Sequence, residues 1–338
     1  MTVDVEAFAR GIPKAELHVH LEGTIAPQAY ARIARRNGVD AGDVASLFAC
    51  DDFHSFLVSF LRVVRVLREP EDFAELAYEY LKRSAAAHVR HVELFLSPAT
   101  QRKFVPDLDL EAMVAAVGAA CDRARAELGI RSLLIFDMVR NLGEPSASED
   151  IDLALRCGRH GVVGIGLGGD ERHFPARDFQ SAFATARAAG LRLTVHAGEA
   201  AGAESIVDAI TLLQAERIGH GVAARGDREA LRLLRERDVT IDACPTSNRV
   251  TGAVAPGDSH PLREFLDAGI AVTLNSDDPA FFHTTVEDEY ANAAALGCGV
   301  REIAAMARSS FARSFLPEPD KRELLEEVDA YVEGGITR

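Results

Sequence analysis

A regular alternation of short apolar runs with amphipathic stretches is what most limits the folds open to this chain. Eight runs read as β-strands: AELHVH (15–20), RHVELFL (90–96), RSLLIFDMV (131–139), VVGIGL (162–167), LRLTVHA (191–197), ERIGHG (216–221), VTIDACP (239–245) and IAVTLNS (270–276). Between most of them the apolar spacing is helical. DFQSAFATARAAG (178–190), stopping at Gly190, and DREALRLLRERD (227–238) are examples. Strands that alternate with helices form parallel sheets, so the pattern predicts an α/β fold, a closed (β/α)8 TIM barrel. A doubly wound open sheet is the structural competitor. Residues 21–89 separate the first two runs, with helical patterns near 27–36, 52–68 and 71–87. This span, about 27–88, is expected to be a helical insertion between the first strand and its barrel helix, lying over the barrel mouth. No Gly/Ser/Pro linker, low-complexity tract or repeat divides the sequence. Residues 1–338 are therefore expected to form one domain, with helices at about 300–332 covering the barrel.

Composition removes several classes of function. The formal net charge of −15 argues against a nucleic-acid backbone or an anionic membrane as partner. No apolar run reaches the roughly 18 residues of a membrane span. The N-terminus lacks a basic segment followed by an apolar one, so a cytoplasmic protein is expected. The cysteines, Cys50, Cys121, Cys157, Cys244 and Cys298, are odd in number and include no CxxC pair, which predicts reduced thiols and no thiolate zinc site.

The reactive side chains collect at strand ends. In ELHVHLEGT (16–24), His18 and His20 share one face of an extended strand, with Val19 pointing away. His196 ends the fifth run, with Glu199 just beyond it; His220 ends the sixth; Asp277 and Asp278 end the eighth. Taken singly, each has an ordinary explanation: a core histidine, a helix cap, a turn. Taken together they predict a convergent metal site, because the C-terminal ends of barrel strands meet on one face. Three neutral imidazoles and one carboxylate suit zinc with a position left for water, whereas a hard ion would want mostly oxygens. VVGIGL carries no lysine of the kind that, when modified, bridges two metals, so a single ion is expected. GIGLGG (164–169) matches the dinucleotide pattern GxGxxG, but no helix opens directly after it. A backbone kept bare at Gly168 and Gly169 for the approach of a flat ligand is the preferred reading.

PKAELHVHLEGT (13–24), GDE (169–171), HAGEAAG (196–202), ERIGHGV (216–222), CPTSN (244–248) and NSDDP (275–279) together resemble the adenosine deaminase family of amidohydrolase barrels. The resemblance runs from Pro13 to about Tyr290. It implies that His18, His20, His196 and Asp277 hold one zinc ion per subunit. It implies that Glu199 gives a proton to purine N1, and that His220 and Asp278 orient and deprotonate the attacking water. Gly169 would offer its N–H to purine N3, Asp278 would also reach N7, and His20 and Glu22 would border the substrate. The chemistry agrees: attack at a ring carbon bearing an amino group needs the adjacent nitrogen protonated, hence an acid kept neutral by enclosure.

The expected reaction is hydrolytic deamination of an adenine nucleoside, adenosine first, releasing ammonia and leaving a 6-oxopurine. Typical adenosine deaminases read HxHLDG, and that aspartate reaches the ribose. Glu22 stands here instead, as in adenine deaminases and several bacterial relatives. CPTSNRVTGAV and NSDDPAFFHTTVEDEY also resemble the bacterial deaminases of aminodeoxyfutalosine, a menaquinone precursor with an adenine ring. Adenine and aminodeoxyfutalosine are therefore the alternative substrates. Phe53, Phe56, Leu57 and Phe60 of the insertion would shape the mouth. Two readings of other classes remain: a different hydrolysis on the same barrel, needing no acid at Glu199, and a non-catalytic binding protein. Oligomeric state is left open, a homodimer being one option.

Overall fold

The computed structural model describes residues 4–336. Among the described residues, eight strands form one sheet in chain order: β1 (Lys14–His20), β2 (Val89–Leu96), β3 (Arg131–Val139), β4 (Val162–Gly168), β5 (Arg192–Ala197), β6 (Arg217–His220), β7 (Thr240–Ala243) and β8 (Val272–Leu274). Each neighbouring pair is parallel. The sheet curls until β1 meets the chain just past β8. There Val19 bridges Asp277, the His20 N–H donates to the Asp277 carbonyl at 2.9 Å, and the Asp277 N–H donates to the His18 carbonyl at 3.1 Å. This is the (β/α)8 barrel that the alternation predicts.

The strands are apolar throughout because both faces of a barrel wall are covered. Leu17 and Val19 of β1 are fully buried in the core, while Glu16, His18 and His20 alternate with them. The expected runs all fall on observed strands and differ at their ends. β7 stops at Ala243, since Pro245 cannot donate to a ladder and opens the helix Pro245–Val250 instead. The helix expected over 178–190 is broken: a 3₁₀ turn, Ala176–Phe179, precedes the helix Gln180–Ala188.

Between β1 and β2 lie the helices Pro27–Arg36, Val44–Leu47, Phe53–Val66 and Pro70–Ala86. Pro70–Ala86 packs on β2 and on the helix Leu110–Leu128, as a barrel crossover helix does. Phe53–Val66 is held over the barrel mouth by aromatic contacts. The Phe56 ring lies 5.0 Å from Phe282 and 5.5 Å from Phe281, on the short helix Pro279–Phe282 that follows Asp278. The helix Val300–Ala312 covers β1 and β8, and the last helix, Glu318–Ile336, packs on it. Among the described residues no helix is long and apolar enough to cross a membrane.

Glu16 clamps the seam where the barrel closes. Fully buried, it accepts the Ser276 N–H at 3.0 Å, the Ser276 hydroxyl at 2.5 Å and the Tyr80 hydroxyl. It thereby ties β1 to the chain leaving β8 and to Pro70–Ala86. Glu16→Ala would strand three buried donors, so a loss of about 3 kcal/mol is expected. Urea unfolding measures it; an unchanged midpoint would show that the seam does not rely on this clamp.

Candidate active site

Parallel strands end on one face of a barrel, and this brings donors from distant parts of the sequence together. His18 Nε2 and His20 Nε2 lie 3.5 Å and 3.4 Å from Asp277 Oδ1, and His20 Nε2 lies 3.3 Å from His196 Nε2. The ligating atoms of all four residues fall within 4.8 Å of one another. Tetrahedral donors about 2.0–2.1 Å from zinc stand about 3.4 Å apart, so this set fits that ion. Both ring nitrogens of His18 are buried without a hydrogen-bond partner, as a ligand's donor would be. Burial pushes His20 down to about 3 and His196 well below its usual value, which leaves their lone pairs free for a cation.

The two adjacent aspartates are driven apart. Burial opposes ionisation of Asp277, but His18, His220 and His20 around it hold its carboxyl well below the usual range. Ser247 Oγ donates to Asp277 Oδ2 at 2.6 Å, leaving Oδ1 toward the histidines. Burial, with Asp277, Glu22 and Glu199 nearby, pushes Asp278 well up. Asp278 occupies an N-cap position yet makes no capping bond, and its Oδ1 has no partner. Two of the site residues hold left-handed backbone, His220 at φ 65° and Asp277 at φ 64°. Such conformations cost energy and persist where the surroundings dictate them.

Glu199 lies on the bend after β5, where His220 Nε2 is 3.6 Å from its Oε2. Burial raises its pKa, partly opposed by His220. Glu171 holds this bend in shape. Its carboxylate accepts the N–H groups of Gly198 (2.5 Å), Glu199 (3.1 Å), Ala200 (2.8 Å) and Ala201 (3.1 Å). Four donors turned to one anion form a nest that sets the direction of Glu199. Arg140, fully buried, donates to the His196 carbonyl and holds that end of β5.

A cavity of about 340 Å³ opens over these groups. His20, His196, Glu199, His220, Asp277 and Asp278 line it, as do Asp137, Gly168 and Gly169 of the wall. Phe53, Phe56, Leu57, Phe60 and Leu61 form its apolar side. The glycines of GIGLGG do border the cavity. A Cβ at Gly168 would meet Asp137 Oδ2 at 2.5 Å, and one at Gly169, where φ is 97°, would meet Asn141 Oδ1 at 2.5 Å. The bare backbone therefore makes room for the protein's own polar groups too. Glu22 is fully buried, 3.4 Å from the Ser97 N–H and from Gln101 Nε2, and is not among the cavity-lining residues.

Sequence reasoning missed Asp137, Arg140 and the job of Glu171. Asp137 lies 3.8 Å from His196 Nδ1 and 4.0 Å from His20 Nδ1, with Oδ1 unpartnered. A lone acid in the apolar run RSLLIFDMV was the available signal.

The family described as Adenosine deaminase matches residues 13–331. The chain belongs to the adenosine deaminase family. Like relatives named as aminodeoxyfutalosine and adenine deaminases, this chain is a hydrolase of C–N bonds in amidines. Aminodeoxyfutalosine deaminase of Streptomyces avermitilis is 39% identical over 336 residues, covering 97% of this chain and 93% of that protein. The crystal structure of adenine deaminase from Arthrobacter aurescens superposes with a TM-score of 0.90 at 34% identity, covering 96% of this chain and 100% of that one. An amidohydrolase from Burkhoderia ambifaria, solved with bound Zn, gives a TM-score of 0.90 at 25% identity over 100% of this chain and 96% of its own.

Removing the nest should misdirect Glu199 without touching the four donors. Glu171→Ala is expected to lower kcat about 100-fold, with metal content unchanged. Steady-state kinetics beside metal analysis checks this; a wild-type kcat would mean that the bend keeps its shape unaided.

Proposed function

We propose that the protein hydrolytically deaminates the 6-position of an adenine-ring nucleoside, using one zinc ion held by His18, His20, His196 and Asp277. The observation that carries this reading is the set of three imidazoles and one carboxylate at zinc spacing, with the raised-pKa carboxyl of Glu199 close by. The relative solved with bound Zn supports the choice of ion. When bound, zinc supplies Lewis acidity that brings the ionisation of water near pH 7.

The chain's own residues do the rest. Glu199, kept protonated by burial, donates to ring nitrogen N1 as the adjacent carbon is attacked. Asp278 acts in its ionised form, in which its raised pKa makes it the stronger base, and accepts the proton of the attacking water, and His220 stands on its other side. Gly169 and Asp278 hold the ring through N3 and N7. His20 borders the purine as well as holding the ion, and Glu22 backs the wall from behind. Proton return to the leaving nitrogen releases ammonia and leaves a 6-oxopurine.

The apolar side of the cavity bears on the choice of substrate. A free base would leave Phe53, Phe56, Leu57 and Phe60 against water, whereas a nucleoside with apolar surface beyond the sugar would cover them. This favours aminodeoxyfutalosine, the substrate in the name of the Streptomyces avermitilis relative, over adenosine. Adenine is the second reading, favoured by the Arthrobacter aurescens relative. The bound form is a small purine, and the site asks for no macromolecular partner.

Incubation of the purified protein with aminodeoxyfutalosine, adenosine and adenine, followed by ultraviolet absorbance, should give kcat/KM in that order. Turnover of none of them would sink the reading. Leu57→Ala, at a side chain already 41% exposed, should raise KM for the best nucleoside about five-fold and leave any rate with adenine alone. The acid form of Glu199 is the active one. On the alkaline side activity should therefore fall as pH climbs through its raised pKa. Glu199→Gln should abolish that limb along with about 1,000-fold of the rate.

A further inference from the structure

We infer that Asn248 and His260 are positioning residues that fix the tautomer of His220, keeping its ring proton on Nε2, the nitrogen that faces Glu199. This deepens the proposed function, since it rests on His220 standing beside the attacking water.

Three buried hydrogen bonds in a row carry the inference. The Leu262 N–H donates to His260 Nδ1 at 3.1 Å. A backbone N–H can only donate, so His260 Nδ1 holds a lone pair there. Burial pushes His260 down to about 3, so the ring is neutral and its proton sits on Nε2. That nitrogen lies 3.2 Å from Asn248 Oδ1. The atom facing an N–H must be an acceptor, so the Asn248 carbonyl points to His260 and its amide nitrogen points away. Asn248 Nδ2 then lies 3.0 Å from His220 Nδ1 and donates to it. Each step settles the next, and the amide orientation follows from the network. Asn248 is fully buried and His220 and His260 nearly so, which makes a mismatched donor costly at every position.

The consequence is a division of labour. With Nδ1 occupied as an acceptor, neutral His220 presents Nε2–H, 3.6 Å from Glu199 Oε2. It is a hydrogen-bond donor to the attacking oxygen or to Glu199, and it is not the base that receives the water's proton. That proton falls to Asp278. The sequence-based expectation that both residues deprotonate water is thereby narrowed to one. The relay also connects the start of the helix Leu262–Asp267, through three side chains, to the reacting centre, the histidine-orienting arrangement familiar from metal and triad sites.

The test is nitrogen-15 NMR of histidine-labelled protein, with the His220 signals assigned by their loss in His220→Gln. Wild type should show a protonated ε nitrogen and an unprotonated δ nitrogen at His220. Asn248→Asp is nearly isosteric but offers an acceptor, so it should move a proton onto His220 Nδ1. In zinc-loaded protein it should lower kcat at least 100-fold with KM changed less than three-fold. His260→Gln, whose amide can still donate to Asn248, should keep the wild-type tautomer and most of kcat. A wild-type His220 with its proton on Nδ1, or an unchanged tautomer in Asn248→Asp, would overturn the inference. The tautomer is read without substrate, so failure of every purine to react would leave this result standing and bear on the proposed function alone.

Discussion

The structure depends on the way its barrel closes. Two main-chain hydrogen bonds join His18 and His20 to Asp277, and these seam residues are three of the four whose side chains offer donors to a metal, His196 of β5 being the fourth. Closing the barrel therefore brings these three donors together. A shift of one residue in this register would turn both histidines outward, because side chains alternate along a strand. Glu16 sits directly beneath, bonding Ser276 on the other side of the join. The left-handed backbone at Asp277 is held by this seam, which supplies contacts that a free strand end would lack.

Around the donors, carboxyl groups are separated by environment. Asp277 is held well below the usual carboxyl range by the imidazoles around it, whereas burial raises both Glu199 and Asp278, which keeps one able to hold a proton and makes the ionised form of the other a stronger base. Acid and base roles can then coexist within a few residues of sequence. The supporting groups act mostly through backbone: Glu171 on four N–H groups, Arg140 on the His196 carbonyl. Such fixed dipoles cost no reorganisation when charge moves, which suits a reaction that protonates a ring while water attacks it.

The insertion answers a different need. Phe53–Val66 leaves Phe53, Leu57 and Val58 notably exposed, although most aromatic and aliphatic side chains here are buried. Its Phe56 is anchored on the helix that follows Asp278, so the apolar side of the cavity is referenced to the catalytic floor. The proposed selection among purines thus draws on a segment outside the barrel alternation, while the proposed chemistry draws on the strand ends.

Much of this was legible in the sequence. Eight apolar runs alternating with helices give a helix-covered parallel sheet, since period and length are local properties, and its closure into a barrel is decided where β1 meets the chain past β8. Histidines and acids at the ends of those runs converge because parallel strands share one direction, so His18, His20, His196, His220, Asp277 and Asp278 could be gathered before any coordinates. Tertiary structure alone decided the partners of those groups. No local pattern says that Glu171 folds its carboxylate into the bend after β5, that Asp137 in an apolar strand lies beside two histidines, or that His260 addresses His220 through Asn248. Nor does it say that Glu22, two residues from His20, is fully buried against Ser97 and Gln101. Hydrogen bonds and desolvation depend on which side chains meet across the barrel, and that information exists only once the chain has closed on itself.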